Sequence, residues 1–252
     1  MTWQIRENSA HLRLPGLEAV VNIAVPSDGL GQLRVNGWAL SGSVFGLALP
    51  PDGQNVADNE TEAYLRGDDL VATHSATQQW PFRAQVCWRA VHATLGLQTF
   101  GGVDLIASVQ TQLLDSQPEL SVTTCLPASQ LLVLGGADDD LFDVVSPNGQ
   151  QPITLAPTDG AGCLLYRFAA DSGAPTFSYA EMIHQGDARP ATLRQEPTGS
   201  LSLVRRIFSD RLEKGVILRT RLRGIFLEAS GDATTALAWY RAWLESELPL
   251  TA

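Results

Sequence analysis

Glu181 and His184 stand three residues apart in SYAEMIHQGD, and both side-chain types can exchange protons near neutral pH. In an ideal strand that spacing puts them on opposite faces, so cooperation would require a bulge or a strand end. The simpler reading is that His184 ends a strand beside a turn. His74 lies in VATHSATQQWPF, near a strand-to-strand transition. Trp80 follows it and either stacks on a sugar ring or, in a Trp-Pro pair, packs in the core. Glu181, His184 and His74 are the acid-base candidates. His92 shares the parity of Val86, Trp88 and Ala90, which points it toward the core or its margin.

The stronger chemical pattern is cationic. From Val216 the even positions run Val216, Leu218, Thr220, Leu222, Gly224 and Phe226, while Arg219, Arg221 and Arg223 take the odd ones. Successive strand side chains point to opposite faces, so this is a strand with an arginine ladder on one side. Arg83 and Arg89 alternate in the same way with Phe82, Ala84, Val86, Trp88 and Ala90. If these strands share a face with each other and with Arg205, they make an anion-attracting, hydroxyl-binding surface. The alternative is a solvated face laced with exposed ion pairs, each worth only about 0–1 kcal/mol. Arg83, Arg89, Arg219, Arg221 and Trp80 are therefore the candidate ligand contacts.

The elements that carry these residues are mostly strands. WPFRAQVCWRAVHATLGLQTF and VDLIASVQTQLLD each present one apolar face, and Gly101-Gly102 can supply the positive φ of a hairpin between them. Asn36-Gly37, between LGQLRV and WALSGSVFGLAL, signals another tight hairpin. Residues 50–62 read as a loop, and 135–162 as an acidic, Gly- and Pro-broken connection holding one or two short strands. SDRLEKG reads as the turn between the strands around Leu203 and Leu222, with Gly215 at a left-handed position. Residues 232–247 form the one convincing helix, with Asp232 as N-cap and an apolar stripe of Ala236, Leu237, Tyr240, Trp243 and Leu244. The expected architecture is a mainly β, antiparallel sandwich of residues 1–252 as a single domain, closed by that short helix.

Composition narrows the function. The chain has 252 residues and a net charge of −10, which argues against sequence-independent nucleic-acid binding. Yet from Arg189 to Arg223 nine basic residues face three acidic ones, so charge is unevenly spread. No apolar run approaches the roughly 20 residues of a membrane helix, and MTWQIRENSAHLRLPGLEAV is no secretory signal, so a cytoplasmic protein is expected. Cys87, Cys125 and Cys163 are widely spaced and form no CxxC pair, so neither a disulfide framework nor a zinc site is indicated. With no GxGxxG, P-loop, HExxH, GxSxG or EF-hand pattern, no cofactor or metal is expected.

The order of elements resembles the β-supersandwich of the galactose mutarotase-like (aldose-epimerase-like) superfamily. The stretches that carry it are WPFRAQVCWRAVHATL, VDLIASVQTQLL, FSYAEMIH and EKGVILRTRLRGIFL, within residues 30–230. The chain is also similar to uncharacterised bacterial proteins that share LEKGVILR, then RGIFL, then a short C-terminal helix. The resemblance implies carbohydrate binding. Members of that superfamily use paired histidines and a late glutamate on the polar sheet face, with an arginine holding the sugar. Here no histidine signature matches, and Glu181, Glu213 and Glu228 are the late carboxylates. Two readings stand: a protein that binds or modifies a sugar or sugar acid at an Arg-rich polar face, or a non-catalytic β-sandwich that binds a protein partner or assembles as a homo-oligomer. In the second, the arginines would meet acidic loops such as Ala137–Asp143 of a neighbour.

Overall fold

The computed structural model describes residues 2–49, 61–92, 99–135, 141–147, 151–156, 162–169, 177–184 and 186–246. Along the chain the first strands are β1 (Trp3–Arg6), β2 (Ser9–Leu14), β3 (Leu17–Asn22), β4 (Leu30–Val35), β5 (Trp38–Leu40), β6 (Ser43–Ala48), β7 (Thr61–Arg66) and β8 (Asp69–His74). Next come β9 (Phe82–Val91), β10 (Thr99–Thr111), β11 (Leu120–Leu126), β12 (Ala128–Leu134), β13 (Phe142–Val145) and β14 (Ile153–Leu155). β15 (Cys163–Phe168), β16 (Phe177–Ile183), β17 (Ala191–Gln195), β18 (Leu201–Phe208) and β19 (Ile217–Glu228) precede helix α1 (Asp232–Leu244).

These strands build two facing antiparallel sheets. The first has ten described strands, in the order β1-β2-β3-β4-β6-β11-β18-β17-β14 with β5 paired to β4. The second has nine, in the order β13-β12-β15-β16-β19-β10-β9-β8-β7. Period-two patterning explains why they stack: β9 buries Phe82, Ala84, Val86, Trp88 and Ala90 and leaves Arg83 and Gln85 outside. Trp3, Leu12, Leu33 and Leu47 of the first sheet meet Trp88, Leu105, Leu222 and Phe226 of the second in one core. Each such fully buried side chain contributes about 1.5–3 kcal/mol. The mainly β supersandwich with a short C-terminal helix is the fold.

Turn chemistry was legible in one place and misleading in two. Asn36 (φ 47°) and Gly37 (φ 82°) link β4 to β5 as a two-residue hairpin loop. Gly101-Gly102, by contrast, lies inside β10, where Gly101 (φ 116°) forms a bulge against β19. The positive φ is real, but it bends a strand and does not close the β9–β10 hairpin. Gly215 does adopt a left-handed φ of 87°. The strands on either side of it, however, do not pair: β18 belongs to the first sheet and β19 to the second, so SDRLEKG crosses the sandwich. Alternation shows which face of a strand is apolar, not which strand lies beside it. The acidic connection contributes β13 and β14, and most of the expected 50–62 loop lies outside the described residues.

Helix α1 docks on the outer face of the second sheet. Ala236, Trp239, Tyr240 and Trp243 pack on Cys163, Leu165, Ala180, Met182, Ile225 and Leu227. Trp239 widens the expected stripe, and Leu244 is only half-buried. The N-cap is Gly231 (φ 73°), and Asp232 is the first helical residue. Its carboxylate turns inward to accept from Arg167 at 2.8 and 2.6 Å, from Ser178 at 2.7 Å and from the Ala233 N–H at 2.7 Å. Burial alone would raise this carboxyl, but those donors hold it below its ordinary pKa.

Candidate functional site

Beyond the helix, the outer face of the second sheet is polar. Strand register aligns Arg66, Asp69, Arg89, Asp104 and Arg223 in one row across β7, β8, β9, β10 and β19. The charges alternate and close on one another. Asp69 accepts from Arg89 at 2.7 and 2.9 Å and from Arg66 at 3.4 Å. Asp104 accepts from Arg223 at 2.6 and 2.8 Å. Both pairs with two short bonds have the bidentate geometry that suits guanidinium and carboxylate. Burial pushes the Asp69 carboxyl up, but the Arg89 and Arg66 guanidinium groups outweigh it and hold it below the usual range.

Four residues further along the strands the situation changes. Ser108 of β10 stands between Gln85 and Arg219, and Gln110 stands between Arg83 and Ile217. Arg83 and Arg219 thus flank the two sides of β10, on strands about 10 Å apart. Together with Val109 these side chains line an open depression of about 210 Å3. The Arg219 Nε donates to Ser108 Oγ at 2.9 Å. Neither Arg83 nor Arg219 has a carboxylate within 4.0 Å among the described residues. Burial alone shifts the Arg219 pKa, downward, with no carboxylate opposing it.

The other candidates from the sequence are dispersed. Arg89 is held by Asp69 in the neutralised row. Arg221 is on the expected face but is covered by α1, its guanidinium carbon 4.5 Å from the Trp243 ring centroid and its Nη2 donating to the Trp243 carbonyl at 3.2 Å. Trp80 is buried beside Phe82, ring centroids 5.3 Å apart, in the core rather than on the polar face. His74 is buried, faces the core, and lies 3.5 Å from Thr61 Oγ1; burial pushes its pKa down to about 4. His184 is exposed past the end of β16, and its Nδ1 accepts the Gly186 N–H at 3.1 Å. His92 lies just beyond β9, where parity no longer governs, and meets Asp68 at 3.1 Å on the surface.

Glu181 is 1% exposed and points between the sheets. Thr124 Oγ1 donates to it at 2.6 Å, and Arg205 Nε lies 3.7 Å away, an ion contact longer than a hydrogen bond. Burial raises the Glu181 pKa, against the opposing pull of Arg205 and Thr124. Arg205 therefore does not join the polar face. It sits on the first sheet and shares the inward parity of Leu201, Leu203 and Ile207, a signal present in the sequence. Glu181, His74 and His184 are not brought together. Asp69 and Asp104 are counter-ions that sequence reasoning did not pair; alternation puts Asp104 on the polar face, but only the register reveals its partner. Among the described residues no group of three or more His, Cys, Asp or Glu side chains could hold a metal ion.

Solved structures share this fold. A putative mutarotase (YeaD) from Salmonella typhimurium superposes with a TM-score of 0.56 at 7% identity, covering 90% of this chain and 93% of that one. The GH36 α-galactosidase AgaB from Geobacillus stearothermophilus gives 0.53 at 10% identity, covering 90% of this chain and 41% of that one. An α-galactosidase from Lactobacillus brevis gives 0.51 at 10% identity, covering 91% and 41%. The chain thus spans about two fifths of the galactosidases and nearly the whole of the Salmonella protein. No family model and no curated protein matches the sequence. At these identities the likeness establishes the fold alone, the antiparallel supersandwich expected from the sequence.

Proposed function

We propose that the chain binds an acidic monosaccharide at the β9–β10–β19 end of the polar face. Arg83 and Arg219 pair with the carboxylate, while Gln85, Ser108 and Gln110 take the ring hydroxyls. The observation that carries this reading is the pair of guanidinium groups left without a carboxylate among the described residues, across a depression lined by amide and hydroxyl groups. A guanidinium offers five donors in a rigid fork, and two of them flanking one depression favour an anion over a neutral ligand. The names of the fold neighbours, a mutarotase and α-galactosidases, favour a sugar as the body that carries the anion. Glu181 lies on the other side of the sheet from this depression, so the proposal is for binding and assigns it no proton transfer.

Titration calorimetry with glucuronate and galacturonate against glucose and galactose tests it. The uronates should bind more tightly than their neutral counterparts, and the preference should shrink with salt, because partly exposed charges are screened over about 8 Å at physiological ionic strength. Arg83→Ala and Arg219→Ala should each weaken uronate binding by about tenfold, the scale of one charge-assisted hydrogen bond. Equal affinity for uronates and neutral sugars, or no binding of either at millimolar concentration, would sink the reading.

A further inference from the structure

We infer that the protein has a second ligand site on the outer face of the first sheet, a groove over β2, β3 and β4 that takes a neutral oligosaccharide. It lies on the other side of the sandwich from Arg83 and Arg219 and is independent of the acidic-sugar reading.

Period-two patterning makes this face polar. Leu12 and Leu14 of β2 and Leu17, Ala19 and Val21 of β3 are in the core, which turns His11, Arg13, Glu18, Val20 and Asn22 outward. Register sets Arg13 opposite Glu18 and Glu18 opposite Arg34, so the three form one row across β2, β3 and β4. Two depressions lie on this face, each larger than the one between Arg83 and Arg219. One reaches Asn22 and Asp28, the other reaches Arg13, Glu18 and Arg34, and both are lined by Val20 and Gln32. Asn22 and Glu18 are four residues apart on β3, about 13 Å. The two depressions therefore form one groove longer than a single sugar ring.

Two features set the groove apart from an ordinary solvated sheet face. The first is Gln32, whose φ of 49° is left-handed although it carries a side chain and lies inside β4. The pairing of β3 with β4 shifts register there, between Glu18 and Val20. A bulge of this kind re-aims a side chain at a cost in stability, and such cost collects at functional sites. Gln32 bears it at the junction of the two depressions. The second is the row of charges. Glu18 has an arginine opposite it on each side, yet no ion pair within 4.0 Å joins it to Arg13 or Arg34 among the described residues. On the second sheet the same alternation closes into short bonds between Arg89 and Asp69. Here a carboxylate, two guanidinium groups and the Gln32 amide stand exposed side by side. Gly31 lies next to them, and a Cβ there would meet nothing within 4 Å.

The mixture selects the ligand. Glu18 and Asp28 line the groove and would repel the phosphates of a nucleic acid. A peptide strand adds to a sheet edge, whereas β3 is already paired on both sides. Val20 and Ala39 are the outward apolar side chains of the lining, too small a surface to anchor an apolar partner. A sugar hydroxyl both donates and accepts, so a chain of them satisfies Glu18, the arginines and Gln32 together without bringing net charge.

Titration calorimetry with maltohexaose, cellohexaose and mannohexaose, against glucose and mannose, tests the inference. At least one hexasaccharide should bind tenfold or more tightly than its monosaccharide. Gly31→Phe, which puts a ring into the groove from an unstrained position, should weaken that binding at least tenfold and leave glucuronate binding as in the wild type; circular dichroism verifies the fold. Gln32→Gly should weaken it about tenfold, the scale of one hydrogen bond, without lowering the unfolding temperature, because glycine adopts a left-handed φ freely. Absence of hexasaccharide binding at millimolar concentration, or binding that survives both substitutions, overturns the inference. Binding kept in Gly31→Phe and lost in Arg83→Ala would put the oligosaccharide on the second sheet and overturn it as well. Uronate affinity is measured separately in each arm, so the acidic-sugar reading stands or falls on its own.

Discussion

The two ends of one sheet face treat the same residue type differently. At one end Arg89 and Arg223 close bidentate pairs on Asp69 and Asp104, carboxylates with only 5% and 2% exposure. At the other, Arg83 and Arg219 stand over Ser108 and Gln110 with no carboxylate within 4.0 Å among the described residues. Paired charges that are out of water hold strands in register, whereas cations left open to water keep their donors for something else. A buried group with no counter-ion has a third course: His74 gives up its proton, its pKa pushed down to about 4. A guanidinium has no such exit, since it stays charged at any pH a protein meets.

Changes at the neutralised end should act on stability. Trp243 closes over Arg221 and Arg223, with ring centroids 4.5 and 5.9 Å from their guanidinium carbons. Trp243→Ala should cost about 3–5 kcal/mol in urea unfolding, and a loss below about 1 kcal/mol would mean that the helix is not docked. Asp104→Ala should cost about 3 kcal/mol, because it leaves Arg223 without its counter-ion on a mostly buried strand. If Asp104→Ala proved no more costly than Arg219→Ala, the distinction between the two ends would collapse.

His74 provides a pH test of the case without a counter-ion. Its folded-state pKa of about 4 lies below the ordinary imidazole value of 6.5, so the unfolded chain binds the proton first. The contribution is complete above pH 6.5 and is lost as pH falls toward 4, by about 3 kcal/mol across that window. His74→Gln should flatten this part of the stability profile, and parallel profiles for the two proteins would show that the imidazole charges freely in place. The smallest stability effects belong to Arg83→Ala and Arg219→Ala, each within about 1 kcal/mol of wild type, because neither holds a counter-ion and Arg219 loses only its bond to Ser108.

Much of this face could be read from the chain alone. Alternation assigned Arg83, Arg89, Arg219, Arg221 and Arg223 to one side and Trp88, Leu218 and Leu222 to the other, because a one-residue slip would bury the charges. It did not separate the free arginines from the paired ones. Which carboxylate lies opposite Arg89 depends on the register between β8 and β9, and that is set by pairing across sequence rather than along it. The same gap hid the passage of SDRLEKG between sheets and the cover that α1 lays over Arg221. Arg205 was the avoidable error: its parity with Leu203 and Ile207 already placed it inside, where Glu181 meets it.

The central claim is that Arg83 and Arg219 are the ligand-bearing cations of this face and Arg89 and Arg223 its structural ones. Arginine Nε–H resonances followed by NMR during a glucuronate titration report on each guanidinium separately. The account predicts that the signals of Arg83 and Arg219 shift with a shared saturation curve while those of Arg89 and Arg223 stay in place. Movement of Arg89 or Arg223 with Arg83 and Arg219 unmoved would contradict it.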